Sequence, residues 1–421
     1  MEQIVFEKPY KFIPPIRTRF FSQMVQRLRL HQWHLRKFEG VESHEVRHKE
    51  RLRASIDRGD AIVIAPNHCR NADPMAVGWL TVETNSDFYA IGNWHLFQRS
   101  FFEAWAIRLT GGYSIYREGM DRQSLETSLQ ILEAAERPLM IFPEGSMTRN
   151  NDWLHPLLEG VAFIARTAAK RIEKKGLNRR VVIHPVGVKY LFRGGDLRQR
   201  LEPTIRSLEK RLGYLSVPET PLLERVSRLG MGILAAKEVE FLGCPQGGSF
   251  RERRDRLIDG MLAPLEKKWG IATPAVGVVA RTKDLRSRMI PVIQNAETSR
   301  PEKDAVERDM ERAYYAQQLA CYPDAYFEGT PYQERLFETV ERLEEDVTDH
   351  VTKHGGLHVI LDVDEPIAVS PERVRGVDPL MEELAARLRA KLAELAQENH
   401  PLPPEEIGDF RRYCRGVGEG A

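Results

Sequence analysis

Residues 61–80 read AIVIAPNHCRNADPMAVGWL. The apolar run Ala61–Ala65 makes a short buried strand that Pro66 closes. From Asp73 onward, DPMAVGWLTVE carries helical spacing. Asp73 is expected at the N-cap and Pro74 at the first helical position, a common start signal. Strand, polar loop and helix in succession open a βαβ unit. His68 then lies above the strand's carboxyl end, where open α/β sheets place ligands and catalytic groups. Within one helix, five residues at about 100° each would set His68 and Asp73 about 140° apart. Their pairing therefore requires a loop or tight turn on the histidine side. A capping Asp keeps lone pairs for an imidazole N–H. Taken alone, the stretch is an ordinary capped helix start that carries a histidine.

Outward from it the alternation continues. DFYAIG, YSIYR, PLMIFP and VVIHPVGVKYL read as strands. LFQRSFFEAWAIRLTG, DRQSLETSLQILEAAE and LLEGVAFIARTAAKRI read as helices between them. This predicts an α/β domain whose mostly parallel sheet is flanked by helices. From 201 to 355 the pattern is helical throughout. Capping boxes are expected at Ser249–Glu252, Ser299–Glu302 and Thr330–Gln333, with Pro331 at a first helical position. LHVILDVDEPIAV, residues 357–369, reads as strand again, and DPLMEELAARLRAKLAELAQ as a last amphipathic helix. A strand after so many helices has nowhere to pair except the first sheet. The expected plan is a helical N-terminal region (1–50), an α/β domain (51–200 with 356–400), an all-helical insertion (201–355) and a tail (401–421). No internal repeat and no low-complexity tract is read.

The net charge of +1 over 421 residues is not that of a nucleic-acid binder. Four scattered cysteines, Cys69, Cys244, Cys321 and Cys414, make no zinc-ligand spacing or disulfide framework and suit a reducing cytosol. No secretory signal is read, and no apolar run approaches the roughly 18 residues that span a bilayer. Between Lys8 and Phe38, however, stand eight Lys or Arg and no acid, interleaved with Tyr10, Phe12, Phe20, Phe21 and Trp33. Phe21, Met24, Val25, Leu28 and Leu35 recur at helical spacing. Such a helix can lie in a lipid interface, with its arginines near anionic headgroups; it can equally pack on its own domain.

Three further stretches carry polar residues at strand ends. GGYSIYREG ends a strand on Arg117, whose guanidinium can fork onto phosphate or carboxylate. MIFPEGSMTRNN runs a buried strand into Glu144, beside Gly145, which permits close backbone approach. Glu144 is expected to bind an acceptor hydroxyl, to pair with Arg117, or to lie solvated in a turn. In VVIHPVGVKY, Pro185 implies an edge, a bulge or a bend, and His184 reads as a core or edge residue.

Together, and in this order, the stretches resemble the glycerolipid acyltransferases typified by 1-acylglycerol-3-phosphate acyltransferase. That family's N-H-x-x-x-x-D block stands here as Asn67–Asp73, G-x-x-x-I-x-R as Gly111–Arg117, F-P-E-G as Phe142–Gly145, and the proline in an apolar strand as Pro185. The family often continues F-P-E-G-T-R-S, whereas here Met147 holds the Arg position and Arg149 stands two residues on. A Lys that often precedes a later glycine is Leu158. The resemblance implies acyl transfer from a thioester, acyl-CoA or acyl carrier protein, to a lysophospholipid hydroxyl, without cofactor, metal or acyl-enzyme. His68 would be the general base and Asp73 its partner. Asn67, Arg117, Glu144, Gly145, Arg149 and Pro185 would form the substrate site. The expected place of work is the cytoplasmic face of a membrane, with peripheral attachment. A non-phosphomonoester acceptor and a non-catalytic membrane scaffold are the alternatives. Two rivals fit less well: a covalent hydrolase using Cys69, which lacks a G-x-S-x-G elbow and whose adjacent His68 should point away from it, and a glycosyltransferase using Asp362 and Asp364 as metal ligands.

Overall fold

The computed structural model describes residues 8–119, 121–372, 376 and 378–414; the end of the tail lies outside them. In chain order the elements are α1 (Phe20–Arg27), α2 (Leu30–Phe38), β1 (Val41–Arg47), α3 (Lys49–Asp57), β2 (Ala61–Pro66), α4 (Asp73–Thr84), β3 (Tyr89–Asn93), α5 (Phe101–Leu109), β4 (Gly112–Ile115), α6 (Arg122–Ala134), β5 (Leu139–Met140), α7 (Gly160–Lys174) and β6 (Val181–Phe192). Six helices follow: α8 (Leu197–Arg211), α9 (Leu222–Leu242), α10 (Phe250–Lys268), α11 (Val278–Gln294), α12 (Arg300–Leu319) and α13 (Gln333–Thr348). The chain ends with β7 (Leu357–Val363), β8 (Ile367–Ala368), α14 (Pro379–Leu395) and α15 (Arg411–Cys414). Two compact units result. One comprises Tyr10–Gly195 with Lys353–Asn399, the other Met1–Pro9, Asp196–Thr352 and His400–Ala421.

The first unit is α/β. Its sheet runs β1-β7-β6-β2-β5-β3-β4, with β8 also on β6. β2 is parallel to β5 and β6, β3 to β4 and β5, and β1 to β7; only β7 and β8 run antiparallel to β6. β2 and β6 are buried along their whole length, which is why they read as continuous apolar runs rather than alternating ones. Their side chains join those of α6, α7 and α14 in one core, including Val63, Leu132, Ala165, Ile183 and Leu388.

One sequence expectation fails here and another is sharpened. The N-terminal region is not all helix: β1 escaped notice because VESHEVR has few apolar residues, as an edge strand with a single partner allows. Pro185 is not in an edge strand; it stands where the antiparallel register slips by one residue, between Val186↔Val363 and Ile183↔Ile367, the irregularity expected of a bulge or bend. It lies opposite Ala65 of β2, in the middle of the sheet. Its carbonyl accepts from the Asp364 N–H at 2.9 Å, so its missing N–H would face the gap where β7 has ended and β8 has not begun. No ladder bond is lost.

The second unit is helical among its described residues. The box at Ser249–Glu252 forms; Ser299 makes no cap bond, and α13 starts at Gln333, after Tyr332 rather than at Pro331. A repeat unread in the sequence emerges from the contacts. Arg225 of α9 forks onto Glu209 of α8 (2.9 and 2.7 Å), Arg253 of α10 onto Glu238 of α9 (2.9 and 2.8 Å), and Arg281 of α11 onto Glu266 of α10 (2.7 and 3.0 Å). These arginines recur every 28 residues, and Leu229, Leu257 and Leu285, one turn on, are each fully buried. In sequence, Glu224-Arg225, Arg228-Leu229, Gly232, Leu234-Ala235 and Glu238 return as Glu252-Arg253, Arg256-Leu257, Gly260, Leu262-Ala263 and Glu266. Bidentate buried pairs specify register more than they add stability; here they set each helix against the one before.

Candidate active site

The site forms on the loops that leave β2 and β5. These neighbouring parallel strands deliver Asn67–Arg70 and Phe142–Asn151 to the same end of the sheet, since the Ile141 N–H still bonds the Ile64 carbonyl at 2.9 Å. The second loop then takes hold of the first. Glu144 Oε1 accepts the His68 N–H at 2.7 Å, and the His68 carbonyl accepts from Thr148 N–H at 2.9 Å and Thr148 Oγ1 at 3.1 Å. Both main-chain polar groups of His68 are thereby fixed, and its ring lies over Phe142 with centroids 4.2 Å apart.

Glu144 is neither solvated nor paired with Arg117. It is 3% exposed, and its other oxygen accepts the His155 N–H at 2.9 Å. Burial pushes its pKa up to about 8 against those two donors, which favour the anion. Gly145 follows with φ 72°, and a Cβ there would fall 2.2 Å from Leu158 Cδ1. The positive φ at the tight exit from β5 favours a glycine, and a side chain there would also displace Leu158.

Asp73 is fully buried and does not cap α4. The helix starts at Asp73 itself, after Ala72. Its carboxylate turns back toward the sheet. Oδ2 accepts from His68 Nδ1 and Arg70 N–H, both at 2.8 Å; Oδ1 accepts from the Tyr190 hydroxyl at 2.7 Å and lies 3.8 Å from Cys69 Sγ. The neighbours His68 and Cys69 therefore reach one carboxylate instead of pointing apart. An ionised carboxylate only accepts, so His68 carries its proton on Nδ1 and presents Nε2 as a base. The histidine is 16% exposed, enough to meet a substrate.

The remaining expected residues divide. Asn67 belongs to the sheet: its amide donates to the Val188 carbonyl at 3.0 Å and accepts the Val188 N–H at 2.7 Å, replacing a strand where β2 has ended. Arg149 is buried, with φ 60°. Arg117 is half-buried in the turn after β4, at the sheet edge with β3 between it and β5. His184 is a core residue, bonded to the Asp364 carbonyl (3.0 Å) and Ser55 Oγ (2.9 Å), and burial lowers its pKa. Asp362 and Asp364 face cations: Asp362 meets Lys391 at 3.2 Å, and Asp364 meets Arg387 at 3.6 Å.

Tyr190, Asn151 and Asp152 were not found from sequence. Asn151 pairs with Tyr190 as Asn67 does with Val188 (2.6 and 2.8 Å), and Asp152 forms a buried ion pair with Lys189. Three successive β6 residues are thus gripped by side chains from the two site loops. The one available signal was Asn-Asn-Asp following F-P-E-G, a polar run that stays buried.

A parallel α/β sheet with a His–Asp pair on the loop after β2, braced by the F-P-E-G turn after β5, defines an acyltransferase domain. Residues 43–189, a segment of the α/β unit, match the family model described as Acyltransferase. No curated protein matches the chain.

Proposed function

We propose that the protein moves an acyl group from a thioester donor, acyl-CoA or acyl carrier protein, to a hydroxyl of a lysophospholipid such as 1-acylglycerol-3-phosphate. The observation that carries this reading is the 2.8 Å contact of His68 Nδ1 with Asp73 Oδ2, which favours the tautomer with a basic Nε2. In the proposed step Nε2 takes the acceptor's proton as its oxygen bonds the thioester carbonyl carbon. The tetrahedral intermediate then collapses, the C–S bond breaks, and the imidazolium protonates the departing thiolate. Asp73 stabilises the transient cation, as the acidic member of a catalytic triad does. No acyl-enzyme and no cofactor are needed. Arg117, with Arg149 and the Gly145 turn, is the proposed cradle for the acceptor's anionic group.

A non-phosphomonoester acceptor is the second reading. It is favoured by Met147 and Leu158, apolar side chains that stand in and against the Gly145 turn. Incubating purified protein with acyl-CoA and a panel of lysolipids, with mass spectrometry of the products, tests both. Acylated 1-acylglycerol-3-phosphate supports the first and another acylated lipid the second. No acylation beyond a His68→Ala control leaves the scaffold reading.

The proposed workplace is a membrane surface, held peripherally. No helix of the described residues is long and apolar enough to cross a membrane. Yet Phe20 and Trp33 of the acid-free segment stand exposed, and Phe101 and Phe102 of α5 are 80% and 79% exposed. Trp105 of α5 meets Phe21 edge-on at 5.7 Å, joining the two sets into one aromatic surface. Interfacial aromatics beside arginines suit anionic lipid. Flotation with anionic but not neutral vesicles is the expected result; flotation with neither removes this part of the proposal.

A further inference from the structure

We propose that Tyr190 is a positioning residue for acyl transfer, pinning the second oxygen of Asp73 so that the first stays on His68. The inference rests on the reading of His68 as general base and adds a residue that lies outside the four sequence blocks and outside the matched segment.

A carboxylate with one anchored oxygen can rotate about its Cβ–Cγ bond. Here rotation is blocked from both sides. Oδ2 is shared by His68 Nδ1 and Arg70 N–H, and Oδ1 receives the Tyr190 hydroxyl at 2.7 Å. Without Tyr190, Oδ1 keeps only the Cys69 thiol at 3.8 Å, a weak donor. The tyrosine is itself immobile. Its main chain is clamped by the Asn151 amide, its side chain is fully buried, and the Arg70 guanidinium lies over its ring at 5.4 Å. Burial and the adjoining Asp73 carboxylate raise its pKa well above that of ordinary tyrosine, so it remains a donor through the neutral range. The donor is also uncharged. It steadies the carboxylate without neutralising the charge that must stabilise an imidazolium. A lysine in its place would hold Asp73 equally well and cancel its purpose.

The test is Tyr190→Phe, which keeps the ring and removes one oxygen. The expected result is a fall in kcat of about 10–100-fold with both KM values unchanged, because the hydroxyl touches neither substrate. In an Asp73→Asn background the same change should cost nothing further, since both act through one carboxylate. A structural role would instead add its cost in either background. Asn151→Ala, which loosens the clamp, should move kcat the same way by less. In parallel, the low-field Nδ1–H proton of His68 is followed by NMR, a readout that needs no turnover. It should shift or exchange-broaden in Tyr190→Phe. A folded Tyr190→Phe protein with kcat within about twofold of wild type and an unmoved proton overturns the proposal. If wild type transfers no acyl group, the functional reading fails, and the Nδ1–H proton still decides whether Tyr190 holds the pair.

Discussion

The α/β unit contains two His–Asp pairs of nearly the same geometry. His68 Nδ1 lies 2.8 Å from Asp73 Oδ2, and His48 Nδ1 lies 2.7 Å from Asp362 Oδ1, with both aspartates buried. They differ in what else the carboxylate holds. Asp73 receives only uncharged donors: a backbone N–H, a tyrosine hydroxyl and a thiol. Asp362 also faces the Lys391 ammonium at 3.2 Å. That ammonium, which also meets Glu394 at 3.0 Å, gives Asp362 a cationic partner of a kind that Asp73 lacks among the described residues. The surroundings diverge as well. His68 is held at both main-chain groups and along its ring, whereas His48 is 40% exposed. If His68 is the proposed general base, a hydrogen-bonded His–Asp pair is not sufficient by itself. The carboxylate must keep its charge for the imidazole, and the imidazole must be immobile.

Four experiments would break or sharpen this contrast, in falling order of expected effect. His68→Ala should cost about 10²–10⁴ in kcat while folding persists, the usual worth of a positioned general base. Near-normal turnover would erase the distinction between the pairs. Asp73→Asn should cost up to about 10⁴-fold, because the amide can donate to Nδ1 and favour the wrong tautomer. A loss confined to KM would show that Asp73 acts on binding instead.

Glu144→Gln should destabilise by about 1–3 kcal/mol, since one of two buried N–H groups then faces an NH₂. Its effect on turnover should be smaller than that of Asp73→Asn. The pH dependence carries a sign. Glu144 in the folded state titrates at about 8, above its ordinary value of 4.5. The folded protein therefore binds the extra proton between those values. The associated stability is fully present below the lower one and is lost as pH rises through about 8. The non-titrating Gln variant should show a flatter decline, measured by denaturant unfolding at about pH 5, 7 and 9. Equal slopes would mean that Glu144 is ionised throughout. Last, His48→Ala should leave kcat within about twofold of wild type. A loss comparable to that of His68→Ala would refute the charge argument outright.

The legible part of the protein was the local part. The α/β alternation follows from apolar runs and helical spacing within about twenty residues, and His68 and Asp73 stand five apart. The family's four blocks could be recognised because each is short. Errors arose where a residue's role depends on a distant partner. Asp73 read as a helix cap because Pro74 follows it, whereas its lone pairs go to Tyr190, 117 residues on. Glu144 read as an acceptor ligand, a partner of Arg117 or a solvated turn residue, and its contact with the main chain of His68, 76 residues back, was in none of these. The 28-residue recurrence escaped because only spaced positions repeat, and the Arg–Glu forks that give them meaning cross between helices.

By itself, then, the sequence determined an α/β domain interrupted by helices, matching the Acyltransferase model over residues 43–189, and the pairing of His68 with Asp73. Periodicity and short spacing act over a few turns of chain, so they survive in a linear reading. The tertiary structure alone decided that Tyr190 meets Asp73, that Asn151 and Asp152 grip β6, that Asn67 is a strand substitute, and that Asp362 shares Lys391 with Glu394. Those assignments depend on sheet order and register. They place β6 beside β2 and β7 beside β6, bringing together carboxylates and donors that no local spacing relates.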